Sequence, residues 1–108
     1  MSKDTERRDR ITVINARIDA LNERLKIIPG EIETAENRRR EIRAQILETT
    51  KHLQEAQDIK GSAEAVKEAN IELRGISKNV EDKLREQAKI LVEIKELEKE
   101  RAKLLAGV

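Results

Sequence analysis

The sequence predicts an all-α fold, a long antiparallel helical hairpin of coiled-coil type, and three observations predict it. Apolar residues recur at alternating steps of three and four through the first half of the chain. Ala, Glu, Lys, Leu, Arg and Ile dominate, the composition of solvated helices. A Gly-Ser break sits near the middle, with arms of matching length on either side. A seam this regular needs a partner helix along its length.

The first arm carries the seam Ile11, Ile14, Ile18, Leu21, Leu25, Ile28, Ile32, Ala35, Arg39, Ile42, Ile46, Thr49, Leu53 and Ala56, with Ile11 at an a position and Ile14 at a d. Only Arg39 and Thr49 interrupt its apolar character. Pro29-Gly30 falls inside it. Proline in a helix interior costs about 3 kcal/mol and glycine up to about 1 more. One outcome is a loop and a three-helix bundle of about 4–28, 31–59 and 62–106; the other is a kink within one arm. Leu25, Ile28 and Ile32 keep heptad phase across the proline, and a loop normally resets phase, so the kink is the expectation.

The turn is expected at Gly61-Ser62. Glycine supplies a left-handed C-cap, and Ser62 can cap a helix beginning at Ala63. The chain then reads as one domain, 1–108, with arm one at about 4–58, a turn at about 59–62 and arm two at about 63–106. Folding back there sets Leu53 against Val66, Ile46 against Leu73, Ala35 against Leu84 and Leu25 against Ile94, with Ile14 near Leu105.

The second arm keeps heptad spacing through Val66, Ala69, Leu73, Ile76 and Val80. Leu84 then follows after a second step of four, the signature of a stutter. Beyond it the apolar face widens to Ile90, Leu91, Ile94, Leu97, Leu104 and Leu105, with Val92 to one side; Val13 and Ile27 stand off the seam of the first arm. A single partner helix needs only a narrow stripe. These residues are therefore the candidate protein interface, at the end of the hairpin where both termini lie. Gly75, in mid-arm, either loosens the helix or permits close approach of another backbone.

Composition narrows the function classes. The 108 residues are 42% charged and 37% hydrophobic, with a net charge of +1, no aromatic residue and no cysteine. Aromatic side chains line most small-molecule pockets and stack on single-stranded bases. Without cysteine there is no disulfide framework, thiolate metal site or cysteine nucleophile. His52 is the one histidine, too few for a usual zinc site, and the four glycines are too dispersed for a phosphate loop. The expectation is a non-enzyme with no cofactor, metal or small-molecule substrate. No run of residues reaches membrane-spanning length and the N-terminus lacks a signal-peptide core, so a cytoplasmic location is expected.

The charges read first as i, i+3 and i, i+4 pairs on wet helix faces, among them Glu36–Arg40, Glu81–Arg85 and the acids and bases between Glu93 and Arg101. Arg38, Arg40 and Arg43 are candidate phosphate contacts, but Glu31, Glu33, Glu36 and Glu41 surround them, which disfavours a dedicated nucleic-acid binder. Arg39 occupies a seam a position. A polar residue there can set register, or its head can reach water with its stem along the seam.

The run Leu25-Lys26-Ile27-Ile28-Pro29-Gly30-Glu31-Ile32-Glu33-Thr34-Ala35-Glu36 resembles the proline-interrupted first helix of the coiled-coil arm in C4-type zinc-ribbon proteins, and Val80-Glu81-Asp82-Lys83-Leu84 resembles part of its returning helix. The resemblance implies a hairpin arm. The ribbon's four cysteines are absent here, so it implies no metal and no ribbon-borne activity.

The functional expectation is a structural or adaptor protein acting by self-association or by docking to a protein partner. The alternatives are a holdase-like chaperone hairpin, for which the segment from His52 to Ala65 offers only Ile59 as a large aliphatic expected to be exposed, and a nucleic-acid accessory protein using the arginine cluster.

Overall fold

The computed structural model describes residues 2–55 and 59–107, and the side chains of these except 53–55, 59 and 60. Two helices make up the described chain, α1 (Lys3–Glu55) and α2 (Ile59–Leu105). They run antiparallel, giving the all-α helical hairpin. Ser2 caps α1: its Oγ accepts from the Thr5 amide at 3.2 Å and its carbonyl from the Glu6 amide at 3.2 Å. Gly107 closes α2 with φ of 75° in the left-handed region, its amide donating to the Leu104 carbonyl at 3.2 Å. Neither described helix is long and apolar enough to cross a membrane.

α1 continues as helix through Pro29-Gly30, so the loop of a three-helix arrangement does not form. Ile28, beside the proline, is fully buried. Its packing opposes the loss of one backbone hydrogen bond, and the heptad phase that would be lost in a loop is kept.

The expected turn at Gly61-Ser62 does not form. α2 begins at Ile59, so 59–62 are helical rather than a turn. The Asp58 end of the expected tip and the seam position Ala56 lie outside the described residues, as does the side chain of Leu53.

The chain divides into two compact units, Met1–Pro29 with Leu84–Val108, and Gly30–Lys83. In the first, Ile14, Ile18, Leu21, Ile28 and Ile90 are buried, with Ile11, Leu25, Ile94, Leu97 and Leu104 half-buried beside them. In the second, Ala35 and Ile42 are buried, and Ile46, Val66, Ala69, Leu73, Ile76 and Val80 are half-buried.

α2 has no stutter. Its inward positions run Val66, Ala69, Leu73, Ile76, Val80, Lys83, Gln87, Ile90, Ile94, Leu97, Arg101 and Leu104, an unbroken alternation of three and four. Leu84, taken above as a seam residue, is 51% exposed, and Lys83 holds the seam in its place. The register is correspondingly about one helical turn away from the one predicted. Val80, not Leu84, comes opposite Ala35, and Ile90, not Ile94, opposite Leu25. The physical reason is that lysine, glutamine and arginine can lay their stems along a seam and carry their polar heads to its edge. Apolarity alone therefore misassigns Lys83 and Leu84. Nothing lies within 4 Å of a Cβ built at Gly75, so that glycine serves no close approach within the chain.

Truncation separates the two registers. Ile28→Ala is expected to cost about 2–5 kcal/mol in denaturant unfolding, and Leu84→Ala less than about 1. A comparable cost at Leu84 would contradict the seam described.

Candidate protein-interaction site

Heptad numbering puts Arg10, Arg17, Arg24 and Arg38 at g positions of α1, and Glu100, Glu93, Glu86 and Glu72 at the matching positions of α2. The structure joins them across the helices. Arg10 Nε and Nη2 donate to Glu100 Oε1 and Oε2 at 2.7 and 3.0 Å. Arg24 makes the same two-pronged contact with Glu86 at 2.7 and 2.9 Å. Arg17 contacts Glu93 at 3.1 to 3.3 Å, and Arg38 Nε reaches Glu72 Oε1 at 2.8 Å. A planar guanidinium matches a carboxylate in this way and an ammonium cannot. Glu93 and Glu100 are thus cross-helix partners, not members of intrahelical pairs as expected from spacing.

The ladder has one reversed rung. Glu31 takes the g position between Arg24 and Arg38, and its carboxylate pairs with Lys83 Nζ at 3.3 Å. A slip of one heptad would set Glu31 against Glu86 in one direction and against Glu72 in the other. Like charges then oppose the slip. Sequence reading missed this ladder, although the seven-residue repeat of Arg on one arm and Glu on the other was there to find it.

Arg39 lies in the seam with its side chain 20% exposed. Its Nη1 is 3.3 Å from Glu36 Oε1, its Nη2 donates to Ser77 Oγ across the helices at 3.4 Å, and its buried Nε has no hydrogen-bond partner. Its neighbour on α2 is thus Ser77 rather than Val80, Glu81 or Lys83. Arg38 is engaged by Glu72 and by Glu41, the latter at 3.2 Å, and Arg40 Nη1 donates to Asn37 Oδ1 at 3.0 Å. Two of the three candidate phosphate contacts are therefore already partnered, while Arg43 is exposed. His52 sits on an exposed face 3.4 Å from Glu48. Among the described residues no group of three or more His, Cys, Asp or Glu is placed to hold a metal ion.

The candidate aliphatic interface separates into three sets. Ile90, Ile94, Leu97 and Leu104 belong to the seam and are turned inward, Ile90 being 7% exposed. Val13 and Ile27, each 54% exposed, share a c-position line on α1 outside the Arg–Glu ladder. Leu91 at 55% and Leu105 at 69% lie at e positions of α2, the flank opposite the ladder, in line with Leu84. On that flank the e positions of α1 in the first unit are Arg8, Asn15, Asn22 and Pro29, of which only Arg8 is charged. Asn15 accepts a hydrogen bond from Arg101 Nη1 at 2.9 Å. One edge of the first unit thus carries the paired arginines and glutamates; the other presents Asn15, Asn22 and Pro29 on α1 and leucines on α2. No family model, characterised protein or solved structure matches this chain.

The hydrogen bonds from Arg10 hold the Glu100 carboxyl below its ordinary value of 4.5, and Glu100 holds the Arg10 guanidinium above its own. A depressed carboxyl stabilises the fold above its unfolded pKa, and that contribution is lost as pH falls through the folded value. The thermal midpoint is expected to fall as pH drops from about 6 to 3, and to fall less in Glu100→Gln; an equal fall in both would remove the role of this pair. Arg39→Leu is expected to raise stability by about 1 kcal/mol in denaturant unfolding, because it replaces a partly buried, incompletely bonded cation in an apolar seam.

Proposed function

We propose that this protein is a non-enzymatic structural or adaptor coiled coil, which acts by self-association or by docking to a protein partner. The contact surface is the leucine-bearing flank of α2 in the first unit. The observation that carries this reading is the exposure of Leu84, Leu91 and Leu105 in line along an otherwise solvated helix, on a flank where Asn15, Asn22 and Pro29 of α1 are uncharged. Single exposed aliphatics are ordinary; leucines recurring in heptad register on one flank, interrupted only at Glu98, present a face to a second helix.

Other features agree. The grooves bordered by Asn70, Leu73, Arg74, Ser77, Lys78 and Glu81, and by Asp19, Asn22, Glu23, Leu25 and Lys26, are open to solvent and mixed in polarity, unlike the concave, mostly apolar sites that bind small molecules. The engagement of Arg38 and Arg40 by their neighbours disfavours a phosphate-binding role for that cluster. A highly charged, cysteine-free chain suits the cytoplasm. The resemblance to zinc-ribbon coiled-coil arms adds only that such hairpins serve as arms.

The reading is tested by comparing the wild-type chain with Leu91→Glu, in sedimentation at tens of micromolar and in tagged co-purification. Leu91 is exposed, so helicity is expected to be unchanged in the variant. Association, whether with itself or with a recovered protein, is expected to weaken about tenfold or more. A wild-type chain that is a clean monomer and recovers no protein in a Leu91-dependent way would overturn the proposal.

A further inference from the structure

The exposed leucines of α2 belong to a second heptad stripe. Leu84, Ala88, Leu91, Lys95, Glu98, Ala102 and Leu105 follow one another at alternating steps of four and three, and all seven are exposed. α2 thus carries two seams, one closed by α1 and one open. The open stripe has a pattern of its own. Its centre is Lys95 and Glu98, and on each side an alanine precedes a leucine, Ala88 with Leu91 and Ala102 with Leu105. Neither Lys95 nor Glu98 forms an ion pair among the described residues, although they stand three apart on one helix.

We propose that this stripe is the contact face of a symmetric dimer, in which α2 packs antiparallel on α2 of a second copy of the chain. The proposal rests on the reading of the leucine flank as a contact surface and names its occupant. With the two-fold axis between Glu96 and Leu97, Lys95 faces Glu98 of the second copy and Glu98 faces its Lys95. Leu91 meets Ala102 of the second copy and Leu105 meets its Ala88. These layers are complementary: opposite charges meet, and Leu91 and Leu105 are each set against an alanine, with Leu84 outside them. Alternating large and small residues let two helices approach closely without overpacking.

An antiparallel pairing moved by one heptad loses this match, because it places Lys95 against Leu91 and Glu98 against Ala88. An isologous contact must be complementary to itself, and this stripe satisfies that demand in one register. On the adjoining flank of α1, Asn15, Asn22 and Pro29 set no charge beside the second copy; Arg8 is the charged e position there. The product is a four-helix contact built from two hairpins.

Charge exchange on the full chain tests the register. In sedimentation from about 1 to 200 µM, the wild-type chain is expected to dimerise, and Lys95→Glu and Glu98→Lys each to weaken the dimer about tenfold, since each turns two attractive contacts into repulsive ones. An equimolar mixture of the two variants is expected to recover association, because every facing pair is again Lys against Glu; the doubly exchanged chain recovers it alone. Circular dichroism checks that these exposed substitutions leave the helices intact. A wild-type monomer over this range overturns the dimer, and Leu91-dependent recovery of another protein then still supports the adaptor reading. A dimer lost in Leu91→Glu but indifferent to charge exchange overturns the paired register and spares the contact face. A mixture no tighter than its components also overturns the proposal.

Discussion

A hairpin of two helices has no interior except the line along which they touch, so the rest of this structure depends on the heptad phase of α1. Its d positions Ile14, Leu21, Ile28, Ala35 and Ile42 are all buried, three of them completely. No second layer exists to compensate if the phase slips, because a shift by one position turns the whole apolar set towards water. This is why the helix carries its phase through Pro29 at the cost of a backbone hydrogen bond. It is also why the residues facing this line need only cover it. The register brings Arg101 and Gln87 over Ile14 and Ile28, where their long stems exclude water and their heads leave by the edge.

An apolar seam fixes phase but is weak at choosing between registers, since aliphatic side chains one heptad apart are nearly equivalent. The Arg–Glu ladder supplies the choice. Its rungs are partly exposed, and such pairs are individually weak. Their value lies in pattern rather than strength. Glu31, the reversed rung, meets a glutamate in either neighbouring register, so slipped hairpins are opposed by repulsion as well as by lost attraction. Lys83 completes the arrangement: it fills a seam position and neutralises Glu31 at the same time.

The ladder also makes the two flanks of the first unit unlike each other. On one, Arg10, Arg17 and Arg24 have each found a glutamate. On the other, α1 offers Arg8, two amides and a proline while α2 offers leucines, alanines and one Lys–Glu centre. Helices with a single seam finish their packing within a hairpin; α2 has a second seam, which its own partner does not reach. The function proposed for this protein follows from that asymmetry.

The two-helix architecture, the seam of α1 and its continuity through Pro29 were legible in the sequence because backbone geometry converts a spacing of three and four directly into a face. The absence of aromatics and cysteine likewise bounded the chemistry without reference to a fold. The tertiary structure decided what spacing leaves degenerate. Lys83 rather than Leu84 lies in the seam of α2, Glu93 and Glu100 reach across to arginines, Arg39 meets Ser77, and Ile90 faces inward while Leu91 faces out. In each case two neighbouring residues, or two pairings of one residue, satisfy local periodicity equally well. Only the register of the opposing helix, set by the sum of many cross-helix contacts, distinguishes them.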